Sequence, residues 1–170
     1  MAQLSSTFTE AQLGPSPYRI GLISDTHGLL RPEALEALRG SHHILHAGDI
    51  GSASILADLG ALAPVTAVRG NNDHGDWARE LPQAALVRFG TVLIYVLHDL
   101  AELDVDPGSA GITAVISGHS HQPRSVERDG VLFVNPGSAG PRRFKLPVTL
   151  AHLTLVGGEK PACDLKTLVP

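Results

Sequence analysis

Carboxylate, imidazole and carboxamide side chains recur in this chain in five short clusters, each directly after an apolar run. In order they are Asp25-Thr26-His27, Gly48-Asp49, Gly70-Asn71-Asn72-Asp73, His98 and Gly118-His119-Ser120-His121. The runs before them cover residues 20–24, 44–47, 65–69, 92–97 and 112–117. These side-chain types are ligands for borderline divalent metals. Asp25, His27, Asp49, Asn71, His98, His119 and His121 are too many for one ion. Seven ligands suit two ions that share a bridging carboxylate, the layout of two-metal hydrolases.

Each cluster has a plainer reading on its own. Asp49 suits a helix N-cap, Gly70-Asn71-Asn72-Asp73 suits a turn, and His98 suits a packed core histidine. His119-Ser120-His121 is the hardest to explain as packing. The plain readings leave unexplained why all five clusters stand at the same end of their runs. Competing motifs are absent from the sequence. It has no Gly-x-x-x-x-Gly-Lys phosphate loop, no His-Glu-x-x-His and no cysteine pair.

The elements that must position these groups follow from periodicity and punctuation. Short apolar runs at 18–24, 44–47 and 65–68 read as buried strands. Between them, Arg31-Pro32 opens a helix with Leu35 and Leu38 on its inner face. Ser52 or Ser54 caps a second helix carrying Ile55, Leu56 and Leu59. Residues 73–80 read as a polar loop. Strands follow at 85–89 and 91–97 across Gly90, with one helical turn at 100–103 and a loop at 106–111. Further strands fall at 112–116 and 131–134, the second preceded by an Asp129-Gly130 turn. Residues 148–156 and 162–169 form a hairpin over Gly157-Gly158. This order predicts an α/β fold, parallel in its first half and mixed or antiparallel in its second. Ligands bind beyond the carboxyl ends of strands in such open sheets.

The chain has 170 residues, 43% of them hydrophobic, which suits one compact domain. Residues 1–17 read as a loose N-terminal leader, and residues 18–170 as the single domain. No run is long enough to span a bilayer, and the N-terminus does not read as a secretory signal. Cys163 is the only cysteine, in keeping with a reducing, cytoplasmic setting. The formal charge of −4 argues against broad binding to nucleic-acid backbones. No surface stripe announces a partner, and a homo-oligomer stays open.

The clusters resemble those of the calcineurin-like metallophosphoesterases, most of all the small single-domain YfcE-like phosphodiesterases. The resemblance runs from about Tyr18 onward. It rests on His46-Ala47-Gly48-Asp49-Ile50, Gly70-Asn71, Leu81-Pro82, Gly118-His119-Ser120-His121 and Asn135-Pro136-Gly137-Ser138. It implies two mixed β-sheets packed face to face and flanked by helices, the four-layer sandwich of that family. It implies Asp25, His27 and His121 as ligands of one ion, Asn71, His98 and His119 as ligands of the other, and Asp49 as the bridge. Asp49 and Asn71 thereby belong to the catalytic group. The implied reaction is hydrolysis of a small phosphodiester by a hydroxide bridging the two ions. Mn²⁺ is the favoured ion, with Ni²⁺, Zn²⁺, Fe or Mg²⁺ as others.

Two departures stand out. Many relatives carry a histidine after the metal-binding asparagine as the acid for the leaving group. Here that position is Asn72, with His74 two residues on as a substitute acid. After His98 the family usually has Gly-His, and this chain has Asp99-Leu100. Asn72 and Arg143 are candidate substrate contacts, Arg143 with Arg142 as a phosphate clamp. Trp77 reads equally as a cover for a nucleobase or aryl group and as a partly packed loop aromatic. Two other functions fit the same fold: a scaffold or interaction module, and a monoesterase, which would want more cationic contacts.

Overall fold

The computed structural model describes residues 4–170. Among them, eleven strands form two sheets. The strands are β1 (Ser6–Ala11), β2 (Tyr18–Ile23), β3 (His43–His46), β4 (Val65–Ala67), β5 (Ala84–Phe89) and β6 (Val92–Leu97). The rest are β7 (Ala114–Ile116), β8 (Arg124–Arg128), β9 (Val131–Asn135), β10 (Val148–Leu155) and β11 (Ala162–Val169). One sheet runs β11-β10-β2-β3-β4 and the other β1-β5-β6-β7-β9-β8. In the first, β2, β3 and β4 are parallel and β10 is antiparallel to β2. In the second, β6, β7 and β9 are parallel, with β5 and β8 antiparallel to their neighbours in that trio.

The two mixed sheets face each other across one apolar layer. Ile20, Leu22 and Leu45 from one sheet share it with Val87, Phe89, Ile94 and Ile116 from the other. Burying each such side chain contributes roughly 1.5–3 kcal/mol. A second layer lies outside the five-stranded sheet. There α1 (Pro32–Leu38) and α2 (Ala53–Gly60) set Ala34, Leu38, Ile55 and Leu59 against Ile23, Ile44 and Leu150. Pro32 opens α1 as expected. Ser52 is the N-cap residue of α2, yet its hydroxyl bonds Ser54 rather than the helix backbone. Outside the six-stranded sheet the cover is thinner. Leu100 and Leu103, around a 3-10 turn at Leu100–Glu102, pack on Leu97, Val115 and Val131.

Two expectations need correction, and one strand lies outside them. The loose leader expected over 1–17 contains β1, which pairs in parallel with β5 from Ser6↔Ala84 to Ala11↔Phe89. Its Ser-Thr-Phe-Thr-Glu-Ala sequence has no apolar alternation because, as an edge strand, it is almost wholly exposed. The backbone ladder holds it, helped by Ala11 against the apolar layer and by Arg88 over the Phe8 ring. The loop expected over 73–80 includes a one-turn helix, α3 (Asp76–Arg79). β8 was hidden as well: Arg-Ser-Val-Glu-Arg is polar on both faces and pairs across the Asp129-Gly130 turn with β9.

The carboxyl ends of β2, β3, β4, β6 and β7 deliver the five clusters to one rim. The loops there are tied to each other by backbone bonds. Asp25 N–H donates to the Gly48 carbonyl, His27 N–H to Asp49 O, and Gly118 N–H to His98 O.

Candidate metal centre

The first carboxylate is Asp25, fully buried at the exit of β2. Its Oδ2 accepts from Ser24 Oγ at 2.7 Å and from the His119 backbone N–H at 3.1 Å. Its Oδ1 has no hydrogen-bond donor among the described residues. That atom lies 3.3 Å from His121 Nε2 and 3.7 Å from His27 Nε2. The two imidazole Nε2 atoms are themselves 3.3 Å apart. Asp25, His27 and His121 thus offer ligand atoms within 4.8 Å of one another.

Asp49, at the exit of β3, is the junction. Its Oδ2 stands 3.7 Å from His27 Nε2 and 3.4 Å from His98 Nε2. His98 accordingly belongs to a second convergence with Asp49 and Asp25, again within 4.8 Å. The His98 ring is set by a 2.8 Å contact from Nδ1 to the Ala47 carbonyl, which leaves buried Nε2 without a hydrogen-bond partner among the described residues. His119 packs edge-on against His98, and its Nδ1 is 3.2 Å from Asn71 Oδ1. All seven side chains singled out in the sequence therefore meet at one place. The buried, unpartnered Asp25 Oδ1 and His98 Nε2 fit a site for cations, since a buried charge needs a partner.

The electrostatics point the same way. Burial works to raise the Asp49 carboxyl. The His98 imidazole and the Asn72 donors outweigh it and hold the group well below the usual carboxylate range. Burial likewise opposes ionisation of Asp25, but contacts with His121, His98 and Ser24 bring its pKa down. Burial disfavours a proton on His98, yet Asp49 and Asp25 reverse that and raise it. His27 is lowered, chiefly by burial, against the pull of Asp49 and Asp25. Two ionised carboxylates among imidazoles are a donor set that would fit a divalent ion.

The backbone is strained to achieve this. Asp25, His27, Asp49, His119 and His121 all have positive φ, between 45° and 68°. Such conformations are uncommon for non-glycine residues and cluster at functional sites. Glycine permits the close approaches between loops. A Cβ at Gly70 would lie 2.1 Å from Asp49 N and Oδ1, and one at Gly118 would lie 2.0 Å from Ser24 Oγ.

The other candidates fall in different places. Asn72 is turned onto Asp49, with its backbone N–H on Oδ1 and its side-chain amide on Oδ2, each at 2.8 Å. His74 is exposed and lines a cavity of about 470 Å³ beside Asn71, His98 and His119. Arg143 is exposed in the loop after β9. Trp77 packs on the apolar layer around α1 and α2, which favours the packed aromatic over the nucleobase cover. Asn135 both ties down the loop that carries His119 and sets its own turn. It bonds the Gly118 carbonyl and Ser120 Oγ, and its Oδ1 accepts from Gly137 N–H.

Ser24, His46 and Asp73 were not singled out as site residues. Asp73 accepts from Gly51 N–H and Gly70 N–H, clipping two of the loops together. His46 Nδ1 accepts from Gly48 N–H and its Nε2 meets Thr26 Oγ1. His46 and Asp73 lie inside quoted motifs, whereas Ser24 only ends the run before Asp25.

Paired carboxylate and imidazole sets at the strand ends of two facing mixed sheets define a metallophosphoesterase-type domain. The chain belongs to the calcineurin-like phosphoesterase superfamily, whose domain profile matches residues 18–158. It is 36% identical over 153 residues to a probable metallophosphoesterase of Methanothermobacter thermautotrophicus, covering 83% of this chain and 87% of that one. It is 27% identical over 139 residues to a phosphodiesterase of Methanocaldococcus jannaschii, covering 70% and 82%. Among solved structures, zinc-bound Vps29 from Entamoeba histolytica shares the fold. There the TM-score is 0.66 and the identity 22%, with 88% of this chain and 98% of that one covered. Among the described residues, no helix is long and apolar enough to cross a membrane.

Proposed function

We propose that the protein is a dinuclear metal-dependent phosphodiesterase. The observation that carries this reading is the position of Asp49 Oδ2, shared between His27 Nε2 and His98 Nε2 at 3.7 and 3.4 Å. Asp25, His27 and His121 would hold one ion and Asn71, His98 and His119 the other, with Asp49 between them. Two divalent ions supply Lewis acidity toward phosphoryl oxygens and a water acidic enough to attack phosphorus near neutral pH. Mn²⁺ is the ion we favour, and the cytoplasm is the compartment.

The protein's own groups do the rest. Ser24 and the His119 amide fix one oxygen of Asp25, and Asn72 fixes Asp49, so both carboxylates are oriented before substrate arrives. The cavity beside Asn71 and His119 receives the ester. As the oxygen of water bonds to phosphorus, one ester P–O bond breaks, giving a phosphomonoester and an alcohol. Asn72 cannot supply the alcohol's proton. His74, lining the same cavity, is the side chain placed to do so. Diesters are favoured over monoesters because the M. jannaschii relative is named a phosphodiesterase.

The test is hydrolysis of bis(p-nitrophenyl) phosphate and p-nitrophenyl phosphate by metal-stripped protein reloaded with Mn²⁺, Ni²⁺, Zn²⁺ or Mg²⁺. Diester turnover that disappears in Asp49→Asn supports the reading. No turnover with any ion, despite two ions bound, overturns it. That outcome would favour the second reading, a scaffold, which the likeness to Vps29 motivates.

A further inference from the structure

We propose that the exposed turn around Phe144 recognises a nucleobase and a flanking phosphate, so that the substrate class is a nucleotidyl phosphodiester. This rests on the diesterase reading and narrows it. The turn is fastened to the metal centre by its stem. Ser138 Oγ donates to the Asp25 carbonyl and Ala139 N–H to Ser24 O, both at 3.0 Å. Gly140 lies so close to Thr26 that an added Cβ would sit 2.2 Å from its carbonyl, and Arg31 Nε bonds the Gly140 carbonyl. The stem thus runs along the segment that carries Asp25 and His27. The chain then leaves it as Pro141-Arg142-Arg143-Phe144-Lys145, exposed throughout.

The tip is built unlike a solvated linker. Leu146 N–H donates to Arg143 O and closes a turn, inside which Phe144 has φ 54°. The residue is 91% exposed, the most open of the large hydrophobic residues described. An aromatic residue held in a left-handed conformation and presented to water has no packing reason to be there. Three cations surround it in a chain whose formal charge is −4. Arg142 is tied to the Pro170 carbonyl. Arg143 and Lys145 take part in none of the ion pairs among the described residues.

An aromatic face flanked by free cations is the unit that binds single-stranded nucleotides: the ring stacks on a base of any sequence and the cations meet phosphates. One such unit beside a phosphodiester site grips one or two nucleotides. That agrees with the acidic chain as a whole, which lacks the basic face needed for long nucleic acids. A lone ring on a stem bonded to Asp25 and Ser24 favours a ligand in the site over a bilayer.

The test combines binding and turnover on the metal-loaded protein. Fluorescein-labelled phosphorothioate tetrathymidylate, which resists hydrolysis, is titrated by anisotropy. Phe144→Ala is expected to weaken its binding about 5- to 100-fold, the range for losing one base–aromatic stack. Arg143→Ala and Lys145→Ala are each expected to shallow the log K against log salt slope by about 0.7. Phe8→Ala, an exposed aromatic on the far edge strand, leaves binding unchanged. In turnover, thymidine 5′-p-nitrophenyl phosphate is preferred over methyl p-nitrophenyl phosphate, and Phe144→Ala removes the preference. Hydrolysis of both esters with no preference and no Phe144-dependent binding overturns this inference while leaving the diesterase reading standing. Phe144-dependent binding without hydrolysis of either ester overturns the diesterase reading and with it the substrate class, and leaves the turn as a nucleotide-binding element. Binding to phosphatidylserine vesicles in place of the oligonucleotide overturns it in favour of a membrane surface.

Discussion

Asn72 grips Asp49 at both carboxylate oxygens, from its backbone to Oδ1 and from its side chain to Oδ2. The position that supplies an acid in many relatives is here occupied with orienting the shared carboxylate. Asn72→Ala should therefore act on metal affinity. Loss of such an outer partner typically costs about 10–100-fold in affinity, readable by calorimetric titration of Mn²⁺ into the stripped protein. Unchanged affinity with a loss confined to turnover would show that Asn72 works on substrate instead.

Asp99 stands where the usual family pattern departs, 3.8 Å by its Oδ2 from His119 Nε2. The other ring nitrogen, Nδ1, faces Asn71. A carboxylate behind a ligand imidazole orients the ring and raises its basicity. Asp99→Asn is expected to weaken one of two Mn²⁺ binding steps by about 10-fold and leave the other in place. Equal weakening of both steps would show that Asp99 contributes only general negative charge.

Gly70 and Gly118 are fixed by clearance rather than by turn geometry. Alanine at either position would push a methyl group onto Asp49 or Ser24. Overpacking of this kind costs about 1–3 kcal/mol, which urea unfolding of Gly70→Ala or Gly118→Ala would measure. Metal binding should weaken too, since the displaced atoms are those that hold the carboxylates. A fully stable variant that still binds two ions would contradict the loop packing.

His43 and His46 give the metal-free protein a defined pH dependence. Burial lowers each imidazole from 6.5 to about 4. Between those values the unfolded histidines are protonated and the folded ones are not, so unfolding takes up protons. Stability is then complete above pH 6.5 and falls as pH drops toward 4, by about 1.4 kcal/mol per pH unit for each histidine. Asp25 and Asp49, held below the carboxylate range, add their loss only at lower pH. Urea midpoints in EDTA at pH 7, 6 and 5 should decline. A flat profile would mean that these histidines are not buried as neutral rings.

The sequence made the rim legible because five strands end in polar clusters, and a strand's carboxyl end is marked by the switch from apolar to polar residues. The parallel trio β2, β3 and β4 followed from helices alternating with apolar runs. β1 and β8 escaped because edge strands need no apolar face: Phe8 stays 56% exposed, and β8 carries Arg124, Glu127 and Arg128. Left-handed backbone at Asp25, Asp49 and His121 left only a weak trace, since aspartate and histidine tolerate it better than most residues but are also ordinary in loops. Asp73 clips Gly51 to Gly70 across the fold, a contact that neither spacing nor composition encodes.

The central claim is a two-ion centre joined at Asp49, and metal stoichiometry tests it most directly. Stripped protein is titrated with Mn²⁺ and counted by elemental analysis after gel filtration, beside Asp49→Ala and Asp25→Ala. Two ions per chain are expected, with Asp49→Ala impairing both sites and Asp25→Ala acting mainly on the one it shares with His27 and His121. A single ion per chain, or an Asp49→Ala protein that still holds two with unchanged affinity, would contradict it.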